Sequence, residues 1–304
     1  LLLLPLSSDV TNLNVFGWDS TCPIYGGTGS AGSHSDGNVS ILQSLQDAGY
    51  KTNETLSNMY TEYCAERPTI SMSAQDWSLP EPNMKHYTDD IMNEAKDFSD
   101  TAMVVLGRPG GEGADLPTNM SAVINGTYNQ GLATSNAPAN WRYMNATYTN
   151  NGSYDDFEEG ESYLEPSVTE EQLIEKVCSE FDNVIVVINA NNTMELDWVD
   201  NYEQIKSVIL APGAGETGFT ALGEILNGTV NPSGKTADTY VKNLLSTHYI
   251  NNIGNFPYTN VDDLKAQALA ADSSYKGNVS FVNYVEGIYV GYKFYETAAD
   301  EGLI

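Results

Sequence analysis

One carboxylate set among glycines is the first candidate for chemistry. Gly107-Arg108-Pro109-Gly110-Gly111-Glu112-Gly113-Ala114-Asp115 follows directly on the apolar run Ala102-Met103-Val104-Val105-Leu106. Glycines let backbone approach a ligand closely and leave Glu112 unshielded by neighbouring side chains. A carboxyl covered there by a neutral ligand is pushed toward its protonated form, the behaviour a general acid/base needs. The competing reading is a turn carrying an incidental solvated Glu. A second glycine-rich stretch, Gly26-Gly27-Thr28-Gly29-Ser30-Ala31-Gly32, lacks the Gly-Lys-Ser/Thr ending of a P-loop and does not fit GxGxxG with an acidic ribose ligand. It reads instead as a tight backbone loop at a ligand or domain interface.

Other polar clusters are weaker. Asp76-Trp77 sits in a Pro-flanked linker and reads as surface structure with Trp77 docked on the core. Asp155-Asp156-Phe157-Glu158-Glu159 reads as a solvated acidic face. Glu195 and Asp197 are candidate helix-capping acids. The three cysteines, Cys22, Cys64 and Cys178, show no CxxC or Cys/His spacing and no disulfide framework. His34, His86 and His248 lie in unrelated contexts, so neither a His-based triad nor a metal cluster is expected.

The elements that must position these groups alternate between strand and helix. Leu13–Phe16, Ala102–Leu106, Val184–Ile188 and Ser207–Leu210 read as strands, the last three with the apolar character of strands covered on both faces in a parallel sheet. Helices are expected over Ile41–Ala48, ended by Gly49, and over Glu54–Ala65. A third, Thr88–Ala95, has Thr88 as its N-cap and Asp89 and Asp90 in the first turn. A fourth, Thr169–Phe181, opens on the capping-box pattern Thr169-Glu170-Glu171-Gln172, and a fifth runs from about Glu216 to Leu226. Strands separated by helices imply βαβ units and a doubly wound, mostly parallel sheet. Ligands in such sheets meet the loops at the carboxyl ends of strands, here those after Phe16, Leu106, Ile188 and Leu210. The polar stretch from about 116 to 156 reads as a long insertion in the loop after the Ala102–Leu106 strand.

Composition narrows the partners. In 304 residues, 13 Lys plus Arg face 41 Asp plus Glu, a formal charge of −28. Phosphate binding needs a basic footprint that this chain lacks, which argues against nucleic acid and against anionic membrane surfaces. A neutral ligand such as a sugar is compatible with the acidic balance. The apolar start, Leu1 to Leu6, is too short to span a bilayer. Asn-x-Ser/Thr triplets such as Asn38-Val39-Ser40 are explained by the richness in Asn and Thr and do not decide the compartment; a bacterial cell-surface and a cytoplasmic location both fit. The start without Met and the end at Asp300–Ile304 read as a piece of a longer protein.

Three segments together resemble the α/β sandwich domain of family 3 glycoside hydrolases. The first is Val104-Val105-Leu106-Gly107-Arg108 with Gly111-Glu112-Gly113-Ala114-Asp115. The second runs from Val184-Ile185-Val186-Val187-Ile188-Asn189 through Pro212-Gly213-Ala214-Gly215-Glu216-Thr217-Gly218 to Asn231-Pro232-Ser233-Gly234-Lys235. The third is Glu286-Gly287-Ile288-Tyr289-Val290-Gly291-Tyr292-Lys293-Phe294-Tyr295-Glu296. In one departure from the family pattern, Ala114, Asp115 and Leu116 stand where an aromatic and Asp-Arg often follow Gly-Glu-Gly.

The resemblance implies a six-stranded sandwich over residues 1–304 that works beside a (β/α)8 barrel, which is not in this sequence. It implies a retaining exo-β-glycosidase, β-glucosidase first and β-xylosidase next, with a β-linked glycoside as substrate and no cofactor or metal. The barrel supplies an Asp nucleophile, and Glu112 is the implied general acid/base. Arg108 and Asp115 position the loop or touch the sugar, and Glu158, Glu159 and Glu161 are fallback acids. The motif order fits a permuted arrangement with the barrel following, or an ordinary C-terminal position. This fragment alone is expected to be inactive. The alternatives are a non-catalytic carbohydrate-binding or scaffolding domain and a flavodoxin-like binder of a small anion.

Overall fold

A computed structural model describes residues 3–34, 36–71, 74–114, 116–128, 146–150, 154–250, 256–276, 280–281 and 284–304. The strands are β1 (Asn12–Phe16), β2 (Lys51–Thr52), β3 (Ile70–Ser71), β4 (Ala74–Gln75), β5 (Thr101–Arg108), β6 (Asn183–Ala190), β7 (Ile205–Leu210), β8 (Phe256–Pro257) and β9 (Ser280–Phe281). The α-helices are α1 (Ile41–Asp47), α2 (Glu54–Tyr63), α3 (Asp89–Phe98), α4 (Met120–Ile124), α5 (Val168–Glu180), α6 (Thr220–Leu226), α7 (Val261–Ala271) and α8 (Tyr292–Asp300).

The central sheet runs β2-β1-β5-β6-β7 with every pairing parallel. The pairs β3–β4 and β8–β9 are small antiparallel ribbons apart from it. The fold class is therefore the expected doubly wound α/β sheet, with five strands among the described residues where six were implied. Alternation along the strands divides the core. Phe16, Val104, Leu106, Val184, Val186 and Ile188 face α2, α3 and α5 through Leu56, Tyr60, Met92, Leu173 and Val177. Leu13, Val15, Met103, Val105, Ile185 and Val187 face α1 and α6 through Ile41, Leu45, Leu222 and Leu226. Leu3, Leu4 and Leu6 join this second layer, where the Leu6 amide donates to the Leu226 carbonyl at 2.8 Å.

Thr88 caps α3 as its sequence indicates, its hydroxyl accepting from the Ile91 amide. The cap of α5 differs from the expected one: Ser167, two residues before Thr169, accepts from the Glu170 amide, and Glu170 closes the box onto the Ser167 amide at 2.8 Å. Both positions fit the pattern of a hydroxyl followed three residues later by Glu or Gln, but Ser167 is the residue with extended backbone, and Thr169 instead donates to Asp156 at 2.6 Å. Strand β7 is also less covered than its apolar sequence implies. It is one of the two edge strands of the sheet among the described residues, and Val208 is exposed. The stretch around 116–156 is more than loop: α4 lies within it, and Met120, Val123 and Tyr148 join the core. Asp156 and Phe157, expected on a solvated face, are buried. Trp77 docks as expected, edge-on to Tyr163 with ring centroids 4.9 Å apart.

Candidate active site

Strand order reverses between β1 and β5, since the chain leaves β1 for β2 on one side and later enters β5 on the other. A crevice opens outside the carboxyl ends of strands at such a switch point. Here it is bounded by the loops after β1, β5, β6 and β7, the four indicated by the sequence, and forms a cleft of about 1530 Å³. Tyr25, Gly26 and Gly27 line it from the first loop, Gly110 and Gly111 from the second, and Asn192 from the third. The wall away from the sheet includes His248, Tyr249 and Tyr295.

Asn189 holds three strand ends together. Its Oδ1 accepts from the Ile24 amide at 2.7 Å, while Nδ2 donates to the carbonyls of Ile24 at 3.2 Å and Ala211 at 2.7 Å. The loop after β7 is tied in the same way, through Gly213 N–H to Asn191 Oδ1 at 2.7 Å and Gly215 N–H to the Tyr25 carbonyl at 2.7 Å.

The Gly107–Ala114 loop is fixed from beneath by Arg108. This residue is fully buried, and its guanidinium forms an ion pair with Glu170. Its Nε donates to the Tyr163 carbonyl, its two terminal nitrogens to Glu170 Oε1 and Oε2 and to the carbonyls of Gly107 and Glu165, all between 2.6 and 2.9 Å. A guanidinium has five N–H groups, and all five are engaged, which leaves no donor for a sugar. The Gly113 carbonyl is held from outside by Gln75 Nε2 at 2.8 Å. Asp115 lies outside the described residues.

Glu112 stands at the exposed tip of this loop, at the rim of the cleft and not among its lining side chains. The two glycine-rich loops meet here. The Thr28 hydroxyl donates to the Glu112 carbonyl at 2.5 Å, and the Ser30 amide donates to Glu112 Oε2 at 2.8 Å. The approach is too close for a side chain at 111: a Cβ on Gly111, whose φ is +154°, would stand 2.2 Å from the Thr28 amide nitrogen. Gly107 is equally constrained, since a Cβ there would reach 2.5 Å from Asp19 Oδ1. Asp19 is buried beneath the loop, and burial holds its carboxyl well above the usual carboxylate range.

The fallback acids lie elsewhere. Glu158 and Glu159 are exposed, Glu161 is half-buried with Oε2 accepting from the Glu158 amide at 2.5 Å, and none of the three lines the cleft. Burial, reinforced by the neighbouring carboxylates Glu165 and Glu158, pushes Glu161 up to about 7. Glu195 meets a helix start distant in sequence: its Oε1 accepts from the amide of Leu244, the first residue of the 3-10 turn Leu244–Ser246, and burial pushes its carboxyl up to about 7. Among the described residues no group of three or more His, Cys, Asp or Glu side chains is arranged to hold a metal ion, and no helix is long and apolar enough to cross a membrane.

Residues 2–292 match the model of the glycosyl hydrolase family 3 C-terminal domain. The chain belongs to this family. Its similarity extends to β-glucosidase A of Butyrivibrio fibrisolvens, at 28% identity over 241 residues covering 78% of this chain and 23% of the relative. Among solved structures, a β-glucosidase from Paenibacillus barengoltzii matches with a TM-score of 0.59 and 26% identity, over 83% of this chain and 23% of that one. β-Glucosidase 3B from Thermotoga neapolitana, solved with glucose, matches in fold with a TM-score of 0.61 and 24% identity, over 97% of this chain and 33% of that one. The chain spans about a quarter of the length of the curated relatives it matches. The family 3 domain thus accounts for nearly all of this sequence and a minor part of each relative.

Sequence reasoning missed the groups that hold the site. Asn189 carried a signal, a lone amide closing an apolar strand, while Ser30 and Gln75 carried none because their partners are distant in sequence.

Proposed function

We propose that this family 3 domain supplies the general acid/base of a retaining exo-β-glycosidase, with Glu112 in that role and a terminal β-glucoside as the favoured substrate, a β-xyloside next. A (β/α)8 barrel in the same enzyme would supply the Asp nucleophile and most of the pocket for the terminal sugar. The observation that carries the reading is the position of Glu112 at the mouth of the switch-point cleft, on a loop clamped by Arg108, Gln75 and the Gly26–Gly32 loop.

The chemistry follows from two carboxyl groups about 5–5.5 Å apart across the anomeric carbon. The barrel carboxylate attacks while Glu112 gives its proton to the departing glycosidic oxygen. Glu112, now a carboxylate, then takes a proton from the water that releases the glycosyl-enzyme. Its exposed position suits a group completed by a second domain and a bound sugar, whose covering would remove it from water. Without a barrel to supply the nucleophile for the first displacement, this domain alone is expected to be inactive.

The test is steady-state kinetics of Glu112→Ala in the enzyme that carries this domain with its barrel, on an aryl β-glucoside with a good leaving group, with and without azide. The expected outcome is a fall in turnover of about 10²–10⁴-fold, restored by azide with glycosyl azide as product, because an anion attacks the intermediate without needing a base. Turnover near that of the parent would remove Glu112 from the role and send the search to Glu158, Glu159 and Glu161.

A further inference from the structure

Cys22 and Cys64 are 42 residues apart in sequence, which is the difference 64 − 22, and each reads singly as a small buried hydrophobe. The fold brings both to one carbonyl. The Cys22 amide donates to the Trp18 carbonyl at 3.3 Å, and the Cys64 thiol reaches the same oxygen at 3.7 Å. The two thiols also hydrogen-bond to each other. Cys64 is buried at the C-cap of α2, while Cys22 is partly exposed on the loop that leads into Gly26–Gly32. Arg67 completes the cluster. Its guanidinium lies 4.8 Å from the centre of the Trp18 ring, its amide donates to the Cys64 carbonyl at 3.0 Å, and its side chain hydrogen-bonds Cys22.

We propose that Cys22 and Cys64 form a thiol–disulfide site, in which a low-molecular-weight disulfide oxidises the pair to an intramolecular disulfide and a thiol reductant reopens it.

The pair is asymmetric in the way such exchange requires. The outer thiol is reachable and has a cation beside it, and its acidity rises through the hydrogen bond from Cys64 and then Arg67, giving a value of about 6. The inner thiol is pushed far up by its bond to Cys22 and by burial. The acids near the pair are Asp19 and Glu81, and burial raises both, Asp19 well above the usual carboxylate range and Glu81 to about 8. In the first step the Cys22 thiolate attacks one sulfur of the oxidant, whose S–S bond breaks to release one half as a thiolate. Cys64 then gives its proton to solvent and attacks the Cys22 sulfur, expelling the second half. Two protein thiols become one disulfide, and the oxidant's disulfide becomes two thiols.

The experiment incubates the folded chain with excess oxidised glutathione, then denatures it in iodoacetamide and maps the peptides by mass spectrometry. The expected result is a chain lighter by two hydrogens before alkylation, a Cys22–Cys64 linked peptide, and a fall from three alkylated cysteines to one, Cys178. Dithiothreitol restores all three. In Cys22→Ser, a conservative change at the partly exposed member, the link is lost and Cys64 is alkylated. Glutathione retained on Cys22 with Cys64 alkylated would overturn the proposal. So would three alkylated cysteines after oxidation, or a Cys64–Cys178 link in Cys22→Ser.

Discussion

Glu112 owes its place to neighbours that have no chemistry of their own. Its carbonyl and carboxylate are both held by the Thr28–Ser30 turn, and that contact exists because position 111 has no side chain. The Gly111→Ala substitution therefore tests the site without touching an ionisable group. Its Cβ would meet backbone, the Thr28 nitrogen at 2.2 Å, along with Thr28 Oγ1 at 2.8 Å and Gly27 Cα at 3.0 Å. Backbone cannot swing aside as a side-chain end can, so one of the two loops must move. We expect a loss of about 1–3 kcal/mol by denaturant unfolding, and in the barrel-bearing enzyme a kcat loss larger than the change in KM. A variant with parental stability and parental kcat would mean the loops separate without consequence for Glu112. Thr28→Val, which keeps the shape and removes the hydroxyl, is expected to cost about 0.5–1.5 kcal/mol in the same measurement.

At the scale of elements, the end of β5 and the start of α5 are joined by one ion pair. Glu170 closes the capping box of α5 on Ser167 and also receives two N–H bonds from Arg108. A cap lost alone and a buried pair broken differ in cost, which makes the two roles separable. Ser167→Ala is expected to cost about 1 kcal/mol. Arg108→Lys keeps a positive charge but cannot reproduce the planar fork, and leaves the Glu170 carboxylate and the Tyr163 and Glu165 carbonyls short of partners in a buried site. Breaking such a pair costs about 3–5 kcal/mol, read as a shift in urea midpoint at unchanged slope. Equal losses in the two variants would show that Arg108 contributes little beyond the cap. These elements also mark what the sequence discloses and what it hides. β5 and β6 are legible because a run such as Val184–Ile188 has one reading beside capped helices, and Thr88 is legible because a cap is decided within four residues. The α5 box slips by two because Ser167 and Thr169 satisfy the same local pattern, and only Asp156, supplied by the fold, decides between them. β7 reads as a covered strand because apolar sequence cannot tell an edge from a centre. The Glu112 loop is legible as a glycine-framed acid after a strand, but its contacts to Ser30 and Gln75 and the meeting of Cys22 with Cys64 join residues about 40 to 80 apart, which no local pattern encodes.

For the whole molecule, a charge of −28 makes pH the natural variable of stability, and two effects run in the same direction. The surface acids repel one another more as they ionise, an effect that salt screens. Glu81 acts differently. It is fully buried, with Oε2 accepting from the Trp18 amide at 3.0 Å and Oε1 from the Tyr87 hydroxyl at 2.8 Å. Burial raises its pKa from 4.5 to about 8. In the unfolded chain the same group ionises near 4.5, so between those values the folded state binds more protons than the unfolded one. The stability contributed by the neutral form is then complete below pH 4.5 and is lost as pH rises through 8, at up to about 1.4 kcal/mol per pH unit. Glu81→Gln replaces the acid by a neutral group of the same shape and removes this dependence while leaving the surface repulsion in place. Unfolding free energies from denaturant titration across that window should therefore fall more steeply for the parent than for Glu81→Gln, and the gap should widen in favour of the variant as pH rises. High salt separates the two causes: the surface component flattens in both proteins, whereas the difference between them persists because a buried group is poorly screened. Parallel curves at high salt would mean that Glu81 ionises in the folded protein as it does in the unfolded chain, with Tyr87 and the Trp18 amide compensating its burial in full.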